Sequence, residues 1–246
     1  MKYLVYCIFS KGRVSTTYPA PVGVGGSRPY VVEGNDLGAV VSTIPNGEMS
    51  KDASTILTYH KVIESFHNQF GVIPLRFGTV VREQAEIKHY LETQSERYKI
   101  LLTKLAGCVE IGIRAIFDDT SLAPEPANEA FAPSPPKCPG AGAAYMAVRK
   151  AYHDAKTLSN EHNQEMIGRY RSPFENLFVG FKAESTKAAP SGNESETVFL
   201  SLYFLVPRLS VKEFREVFDR LKSRETSRLL LSGPWPPYNF VLPEDY

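Results

Sequence analysis

The segment VEIGIRAIF, residues 109–117, constrains the fold more than any other stretch of the sequence. Val109, Ile111, Ile113, Ala115 and Phe117 fall on one side of an extended chain, and Glu110, Gly112 and Arg114 fall on the other. Strict alternation of this kind is typical of a β-strand that buries one face. The chain is therefore expected to contain a sheet that has one covered face.

The elements predicted around this strand follow a regular order. An extended segment at 72–81 precedes a long helix at 83–105, and the apolar run at 197–206 predicts a central strand. A helix and a last strand, residues 228–233, follow that run. The order β-α-β, β-α-β from 72 to 233 predicts a ferredoxin-like sheet of four antiparallel strands backed by two helices.

The helix after residue 206 carries a start signal in the sequence. Ser210 and Glu213 match a capping box, and Leu209 and Phe214 match the hydrophobic staple that often surrounds one. We therefore expect this helix to begin with Ser210 as its N-cap.

The remaining regions complete the predicted organisation. Residues 1–71 predict a small α+β unit, in which a helix with Ser50 as candidate N-cap has an apolar stripe of Ile56, Tyr59, Ile63, Phe66 and Phe70. Residues 118–196 predict a large insertion. Within it, 118–139 and 184–196 are expected to be loops, a helix is expected up to Tyr170, and 174–183 are either more helix or a short strand. The fold class is α+β with two domains, 1–71 and 72–246, the second being ferredoxin-like with the insertion.

Composition excludes several classes of function. The chain has 28 basic and 27 acidic side chains, whereas a nucleic-acid-binding protein usually has a basic excess on one face. No segment approaches the roughly 18 apolar residues of a membrane span, and the apolar start of the chain is interpreted as a first strand. The three cysteines, Cys7, Cys108 and Cys138, form no CxxC pair. A reduced, cytoplasmic environment is expected.

The sequence contains no clear motif for a metal-binding or a phosphate-binding site. His60 and His67 lie seven residues apart, and His153 and His162 lie nine apart, so neither pair has the i, i+4 spacing of two ligands on one metal. They are interpreted as surface or boundary histidines. The segment GVGGSRP, 23–29, lacks the lysine of a P-loop and is interpreted as a connector.

Nucleophilic chemistry has no better support. The sequence has no GxSxG motif, and Cys7 and Cys108 lie in predicted strands, as small core residues do. Glu110 and Arg114 are about 13 Å apart along a strand, so each is expected to serve a partner on another strand. No catalytic, cofactor-binding or metal-binding residue is predicted.

Two clusters of unusual composition remain. The first, IPLRFGTVV at 73–81, contains Pro74, Arg76, Phe77 and Gly78. Arg76 either joins the two halves of the chain, by bonding carbonyl groups or a carboxylate, or contacts a partner.

The second cluster, SGPWPPYNFV at 232–241, contains the only tryptophan of the chain. Its unusual residues are Gly233, Pro234, Trp235, Pro236, Pro237 and Tyr238. The stiff prolines and the position after the last strand predict a latch that closes the domain with a largely buried Trp235. The alternative is a contact surface for a partner.

These two clusters, with Pro139, Gly140, Ala144 and Tyr145 between them, resemble the gas vesicle protein F/L family over most of the chain. The resemblance implies a two-domain α+β protein with a ferredoxin-like second domain. It also implies a non-enzymatic minor component of the gas vesicle in the cytoplasm, without a cofactor. Such a component is expected to bind the hydrophobic shell protein and other gas vesicle accessory proteins during nucleation or assembly, and to bind neither nucleic acid nor a lipid membrane.

An alternative belongs to another class of function. A ferredoxin-like domain also suits a small-molecule enzyme or a regulatory ligand-binding protein. That function requires a concave pocket in which several polar groups converge.

Overall fold

Two antiparallel sheets and the helices packed on them make up the protein, which confirms the α+β class. The computed structural model describes residues 2–13, 21–44, 49–118, 163–188 and 197–241. The predicted loop at 118–139 lies outside the described residues, apart from Asp118. Within the described parts of the chain, no helix is both long and apolar enough to cross a membrane.

The first sheet has five strands. They are β1 (Lys2–Ser10), β2 (Tyr30–Glu33), β3 (Leu37–Ile44), β4 (Val72–Pro74) and β5 (Val80–Val81). The strand order is β2-β3-β1-β4, and β5 pairs with the other end of β1. The central position of β1 explains its apolar sequence, because every side chain from Leu4 to Phe9 is buried.

Helices cover both faces of the first sheet. One face of β1, through Leu4, Tyr6 and Phe9, packs on α1 (Ala53–His67). The other face, through Val5 and Ile8, packs on α2 (Gln84–Thr93) and α3 (Ser95–Leu105). The sequence predicted one long helix at 83–105, but the backbone leaves helical geometry at Gln94, where φ is −101° and ψ is 9°.

In the part of the chain that the structure describes, the second sheet has four strands and one helical layer. Its strands are β6 (Cys108–Asp118), β7 (Gly180–Ala188), β8 (Thr197–Pro207) and β9 (Arg228–Trp235). Their order is β7-β8-β6-β9, and all pairs are antiparallel. Two helices, α4 at 163–171 and α5 (Val211–Lys222), lie between β6 and β7 and between β8 and β9 along the chain. The predicted alternation of 109–117 is confirmed, because Val109, Ile111, Ile113 and Ala115 join the core that contains Phe214 of α5.

The assignment of 72–81 to the second sheet is wrong. β4 and β5 pair with β1 instead, with Pro74 opposite Cys7 and Val81 opposite Tyr3. The fourth strand of the second sheet is instead β7, which lies in the predicted insertion. The sequence pattern indicates an extended segment but not its partner, because strand pairing is decided by contacts distant in sequence. The division into domains at residue 71 stays a prediction.

Several local predictions are also corrected. Ser210 is the N-cap of α5, as predicted, but it forms no capping hydrogen bond, and Leu209 is 98% exposed, so the capping box and the staple are both absent. The N-cap of α1 is Asp52 rather than Ser50, and its carboxylate accepts the Thr55 amide. Ile56 of the predicted stripe is exposed. The polar segment that begins at Glu184 continues β7 to Ala188, and residues 189–196 lie outside the described part of the chain.

One hydrophobic core connects the two sheets. Leu205 of β8 and Phe240, near the C-terminus, belong to the same buried cluster as Val5 and Ile8 of β1. The side of the second sheet that faces away from α5 is thereby joined, at one end, to the α2 and α3 side of the first sheet.

Candidate functional site

The two unusual clusters of the sequence meet on neighbouring residues of α1. Tyr59 contacts the turn between β4 and β5, which carries the PLRFGTV sequence, and His60 contacts the WPPY segment at the end of β9. Consecutive residues of a helix point about 100° apart, so the two side chains reach different neighbours. The two clusters are therefore held by the same helix.

Tyr59 fixes the turn through its phenol group. Its oxygen lies 2.8 Å from the carbonyl oxygen of Val5, 3.0 Å from that of Leu75 and 3.1 Å from that of Arg76. The single hydroxyl hydrogen is thus shared among carbonyls of β1 and of the turn. The Tyr59 ring also meets Phe77 edge-on, with 5.3 Å between centroids. Burial raises the pKa of Tyr59, so the phenol stays protonated as a donor.

The turn itself depends on Arg76, Gly78 and Thr79. The Thr79 amide and hydroxyl both donate to the Arg76 carbonyl, at 3.1 Å and 2.8 Å. Gly78 has a φ of 90°, which suits glycine because it lacks a Cβ. Pro74 is buried at the end of β4. These contacts involve the Arg76 backbone and leave its side chain exposed.

The connection that sequence analysis considered for Arg76 is made by another arginine. The Arg208 guanidinium, between β8 and α5, donates to the His67 carbonyl at 2.6 Å. It therefore joins the second half of the chain to the C-terminus of α1, where a positive charge also complements the helix dipole. Among the residues that the structure describes, Arg76 has no ion pair.

His60 holds the second cluster. Its Nδ1 lies 2.8 Å from the Tyr238 hydroxyl, and its ring meets the Trp235 indole edge-on at 5.2 Å. Trp235 is nevertheless 39% exposed, so the prediction of a largely buried indole is wrong. β9 extends as far as Trp235, and burial begins only at Pro236 and Pro237.

The backbone before the indole explains the glycine of this cluster. Gly233 has a φ of 102°, and a Cβ placed there would lie 2.7 Å from the Glu110 carbonyl oxygen. The Gly233–Pro234 peptide is cis. The register of β6 with β9 also shifts between Glu110 and Gly112. A side chain at position 233 would therefore push β9 away from β6.

Glu110 secures the segment after the tryptophan. Its carboxyl oxygens accept the Asn239 amide at 2.8 Å and the Asn239 side-chain nitrogen at 2.6 Å. Glu110 is 4% exposed, and burial raises the pKa of its carboxyl group, while the bonds from Asn239 oppose that shift. The expected cross-strand partner of Glu110 is thus a residue that follows β9.

The histidine and cysteine predictions have mixed outcomes. His60 is half-buried, as expected of a boundary residue, but His67 is 4% exposed. Burial, and secondly the charge of Arg208, lowers the pKa of His67 to about 4. Cys7 and Cys108 are buried core residues, as predicted, and burial raises the pKa of both thiols. His153 and His162 lie outside the described residues.

Two apolar side chains of α1 are exposed within one helical turn of His60. Ile56 and Leu57 of α1 are 43% and 57% exposed, and Ile56 lies one turn before His60. We call Ile56, Leu57, His60 and Trp235 the α1 surface. Within the described chain, no group of three or more potential metal ligands is present.

His60, as a contact of the second cluster, and Asn239, as the partner of Glu110, were not predicted from the sequence. No local pattern marks them, because each contact spans more than 100 positions. Tyr59 was recognised only as part of an apolar stripe. Its burial next to the PLRFGTV turn gives the hydroxyl a role that helical periodicity does not indicate.

These contacts define an α+β protein of two antiparallel sheets, in which both unusual clusters are structural partners of α1. The chain belongs to the family described as gas vesicle synthesis protein GvpL/GvpF, whose model matches residues 2–242. The resemblance inferred from the sequence is confirmed.

Individual proteins support the same family. Gas vesicle protein L1 of Halobacterium salinarum is 22% identical over 98% of this chain and 90% of its own length. Gas vesicle protein L of Streptomyces sp. strain CB03234 is 23% identical over 89% of this chain and 85% of its own. The crystal structure of gas vesicle protein GvpF from Microcystis aeruginosa has a similar fold, with a TM-score of 0.70, 16% identity and coverage of 98% and 99% of the two chains.

Proposed function

We propose that this chain is a non-enzymatic accessory or minor structural protein of the gas vesicle, and that it binds the hydrophobic shell protein during nucleation or assembly. The observation that carries the proposal is the family match over residues 2–242. A gas-filled shell needs a water-repelling inner face, so its subunits tend to aggregate before they assemble. A partner that covers their apolar surface keeps them available for assembly.

The α1 surface is the part of the chain that we assign to this contact. Leu57, Ile56 and Trp235 are exposed apolar side chains, and large apolar residues grouped at a surface often mark a protein-binding site. His60 is held by Tyr238, and the segment after Trp235 is held by Glu110. A surface that is already rigid loses little conformational entropy on binding.

The sequence motifs then have two roles. Pro74, Phe77 and Gly78 shape the turn against Tyr59, whereas Trp235 supplies apolar contact area. Arg76, whose side chain is exposed, is a second candidate contact to the shell protein or to another accessory protein of the vesicle. We place the protein at the gas vesicle, within the cytoplasm.

The fold supports one finer proposal. The second sheet follows the chain order β6-α4-β7-β8-α5-β9 with the spatial order β7-β8-β6-β9. We infer that it is a ferredoxin-like unit, assembled from different segments than those the sequence indicated.

Co-expression tests the function directly. The chain is produced together with a short, very hydrophobic gas vesicle shell protein, and the soluble fraction is purified through a tag on this chain. The proposal expects the shell protein to co-purify and to be more soluble than when it is expressed alone. Absence of both effects would overturn the proposal.

Matched variants test the surface. Leu57→Ser and Trp235→Ala change the α1 surface, whereas Ile100→Ser removes another exposed apolar side chain, on α3. We expect the first two to reduce the recovered shell protein and the third to leave it unchanged. An equal reduction by Ile100→Ser would contradict the assignment of the α1 surface.

A further inference from the structure

A cavity of about 500 Å³ lies between the first sheet and helices α2 and α3. Its floor is apolar and comes from three strands and one helix. The floor side chains, each at most 4% exposed, are Val5, Ile8, Ala39, Ile73, Ile87 and Leu91. Protein interiors are usually packed without voids much larger than a water molecule. A space of this size is instead within the range of small-molecule sites, about 300–1,000 Å³.

The rim of the cavity, unlike the apolar floor, carries charged side chains. Arg76, from the turn between β4 and β5, and Arg97, from α3, both line it and are both exposed. In the described part of the chain, neither guanidinium forms an ion pair. The rim also contains Glu86, whose carboxylate accepts the Glu83 amide at 3.2 Å at the start of α2. The rim therefore carries two arginines without an ion pair to any described residue and one carboxylate, that of Glu86, which already accepts a hydrogen bond.

Two tyrosines form another part of the wall. The Tyr98 hydroxyl donates to the Tyr90 hydroxyl at 2.6 Å, and their rings meet edge-on. Tyr98 is buried, whereas Tyr90 is 49% exposed. This pair places polar atoms at the boundary between apolar floor and solvent, and the floor itself offers no hydrogen-bonding side chain.

We propose that this cavity binds a small amphiphile, an aliphatic chain with an anionic head group. The chain occupies the apolar floor, and the head group lies between Arg76 and Arg97. Guanidinium groups suit this role, because their planar N–H donors match the oxygens of a carboxylate or a phosphate. An entirely apolar ligand would leave the arginines unused, and a purely polar anion would leave the floor empty.

The site is separate from the α1 surface, because α1 covers the opposite face of the first sheet. The inference therefore does not depend on binding of the shell protein. It also corresponds to the ligand-binding alternative raised by the sequence, although the pocket is formed on the first sheet and not on the ferredoxin-like unit.

Isothermal titration calorimetry of the full chain tests the proposal with three ligands of equal chain length: decanoate, decyl phosphate and decanol. At least one of the two anions is expected to bind, with an affinity at least about tenfold higher than that of decanol, because a guanidinium forms stronger hydrogen bonds with an anionic head group than with a neutral hydroxyl. The comparison of decanoate with decyl phosphate identifies the head group. Failure of both anions to bind, or equal affinity for decanol, would overturn the proposal.

Variants separate the two parts of the site. Arg76→Gln with Arg97→Gln is expected to weaken anion binding about tenfold or more and to leave decanol binding unchanged. Arg220→Gln, at an exposed position of α5, is expected to change neither. Ala39→Leu fills the floor and is expected to abolish binding of all three ligands in a chain that circular dichroism shows to be folded. The double arginine variant remains decisive if Ala39→Leu does not fold.

Two results from these variants would contradict the proposal. The first is unchanged anion binding in the double arginine variant or in folded Ala39→Leu. The second comes from a chain that ends at Val241, a residue that lines the cavity. Anion binding seen only after removal of residues 242–246 would mean that those residues, and not an amphiphile, occupy the cavity of the full chain.

Discussion

The Tyr238 hydroxyl lies 2.8 Å from Nδ1 of His60, and the two residues are 178 positions apart in the chain. This bond joins the first helix to the segment that follows the last strand. The Nε2 atom of His60 is buried and has no hydrogen-bond partner in the described structure. The interaction with Tyr238 is therefore the one polar contact that orients the His60 side chain there.

Tyr238→Phe removes this bond and keeps the ring. We expect the free energy of unfolding to fall by about 1 kcal/mol, with an additional cost if Nδ1 is left without a partner. Urea denaturation measures the change. Tyr203→Phe is the matched control, because Tyr203 forms no side-chain hydrogen bond with any residue that the structure describes. A change for Tyr238→Phe no larger than for the control would contradict the role of this contact.

Truncation of Trp235 should cost less than truncation of Phe240. Trp235 is 39% exposed and Phe240 is 7% exposed. For Phe240→Ala we expect a loss of about 3–5 kcal/mol, the range for a buried aromatic residue, and for Trp235→Ala about 1–2 kcal/mol. Thermal unfolding of the two variants compares them. A larger loss of stability for Trp235→Ala than for Phe240→Ala would contradict this prediction and would make the indole the main buried anchor of the segment.

Stability is expected to decrease with acid because of His67. In the folded protein its pKa is lowered to about 4, chiefly by burial and secondly by Arg208, whereas the unfolded chain has a value near 6.5. As the pH falls from about 6.5 to 4, the unfolded state takes up the proton first, and the free energy of unfolding drops by up to about 3 kcal/mol. Above pH 6.5 this contribution is fully present.

His67→Leu provides the test of that pH dependence. Both ring nitrogens of His67 are buried and lack a hydrogen-bond partner in the described structure, so leucine should preserve the packing and flatten the stability profile between pH 6.5 and 4. His89→Gln alters an exposed histidine and should leave the profile unchanged. The contribution of His67 is refuted if the slopes of wild type and His67→Leu coincide.

Glu110→Gln is expected to destabilise the protein by about 1–3 kcal/mol. Both carboxyl oxygens accept hydrogen bonds from Asn239, and an amide would present an N–H₂ group to one of these donors. Asn239→Ala should cost less, because the backbone amide keeps its bond to Glu110. Equilibrium unfolding of the two variants distinguishes them, and equal losses would speak against the backbone contact.

The sequence predicted local elements better than their partners. The alternation at 109–117 identified β6, because half-burial leaves a period of two in the sequence itself. The pairing of β4 with β1 has no such signature, and neither has the hydrogen bond from Arg208 to His67. Such contacts depend on where distant segments meet.

At the candidate site, too, local backbone properties were predictable from the sequence, whereas contacts between distant segments were not. Proline and glycine around Trp235 indicated a stiff segment correctly, because both residues restrict or require particular backbone angles. The exposed fraction of the Trp235 indole could not be inferred, because it depends on the extension of β9 as far as Trp235 and on the contact with His60 of α1. The cavity beside Arg76 has no local sequence pattern either, because its six floor residues come from four separate elements.

The core that joins the two sheets has a consequence for the order in which the protein folds during synthesis on the ribosome. The strands β1 to β3 are synthesised first, yet their α2 and α3 face packs against Leu205 and Phe240, which are synthesised much later. While translation continues, part of that face stays uncovered and available to chaperones or to another nascent chain. The first sheet to be made is therefore among the last parts of the molecule to be completed.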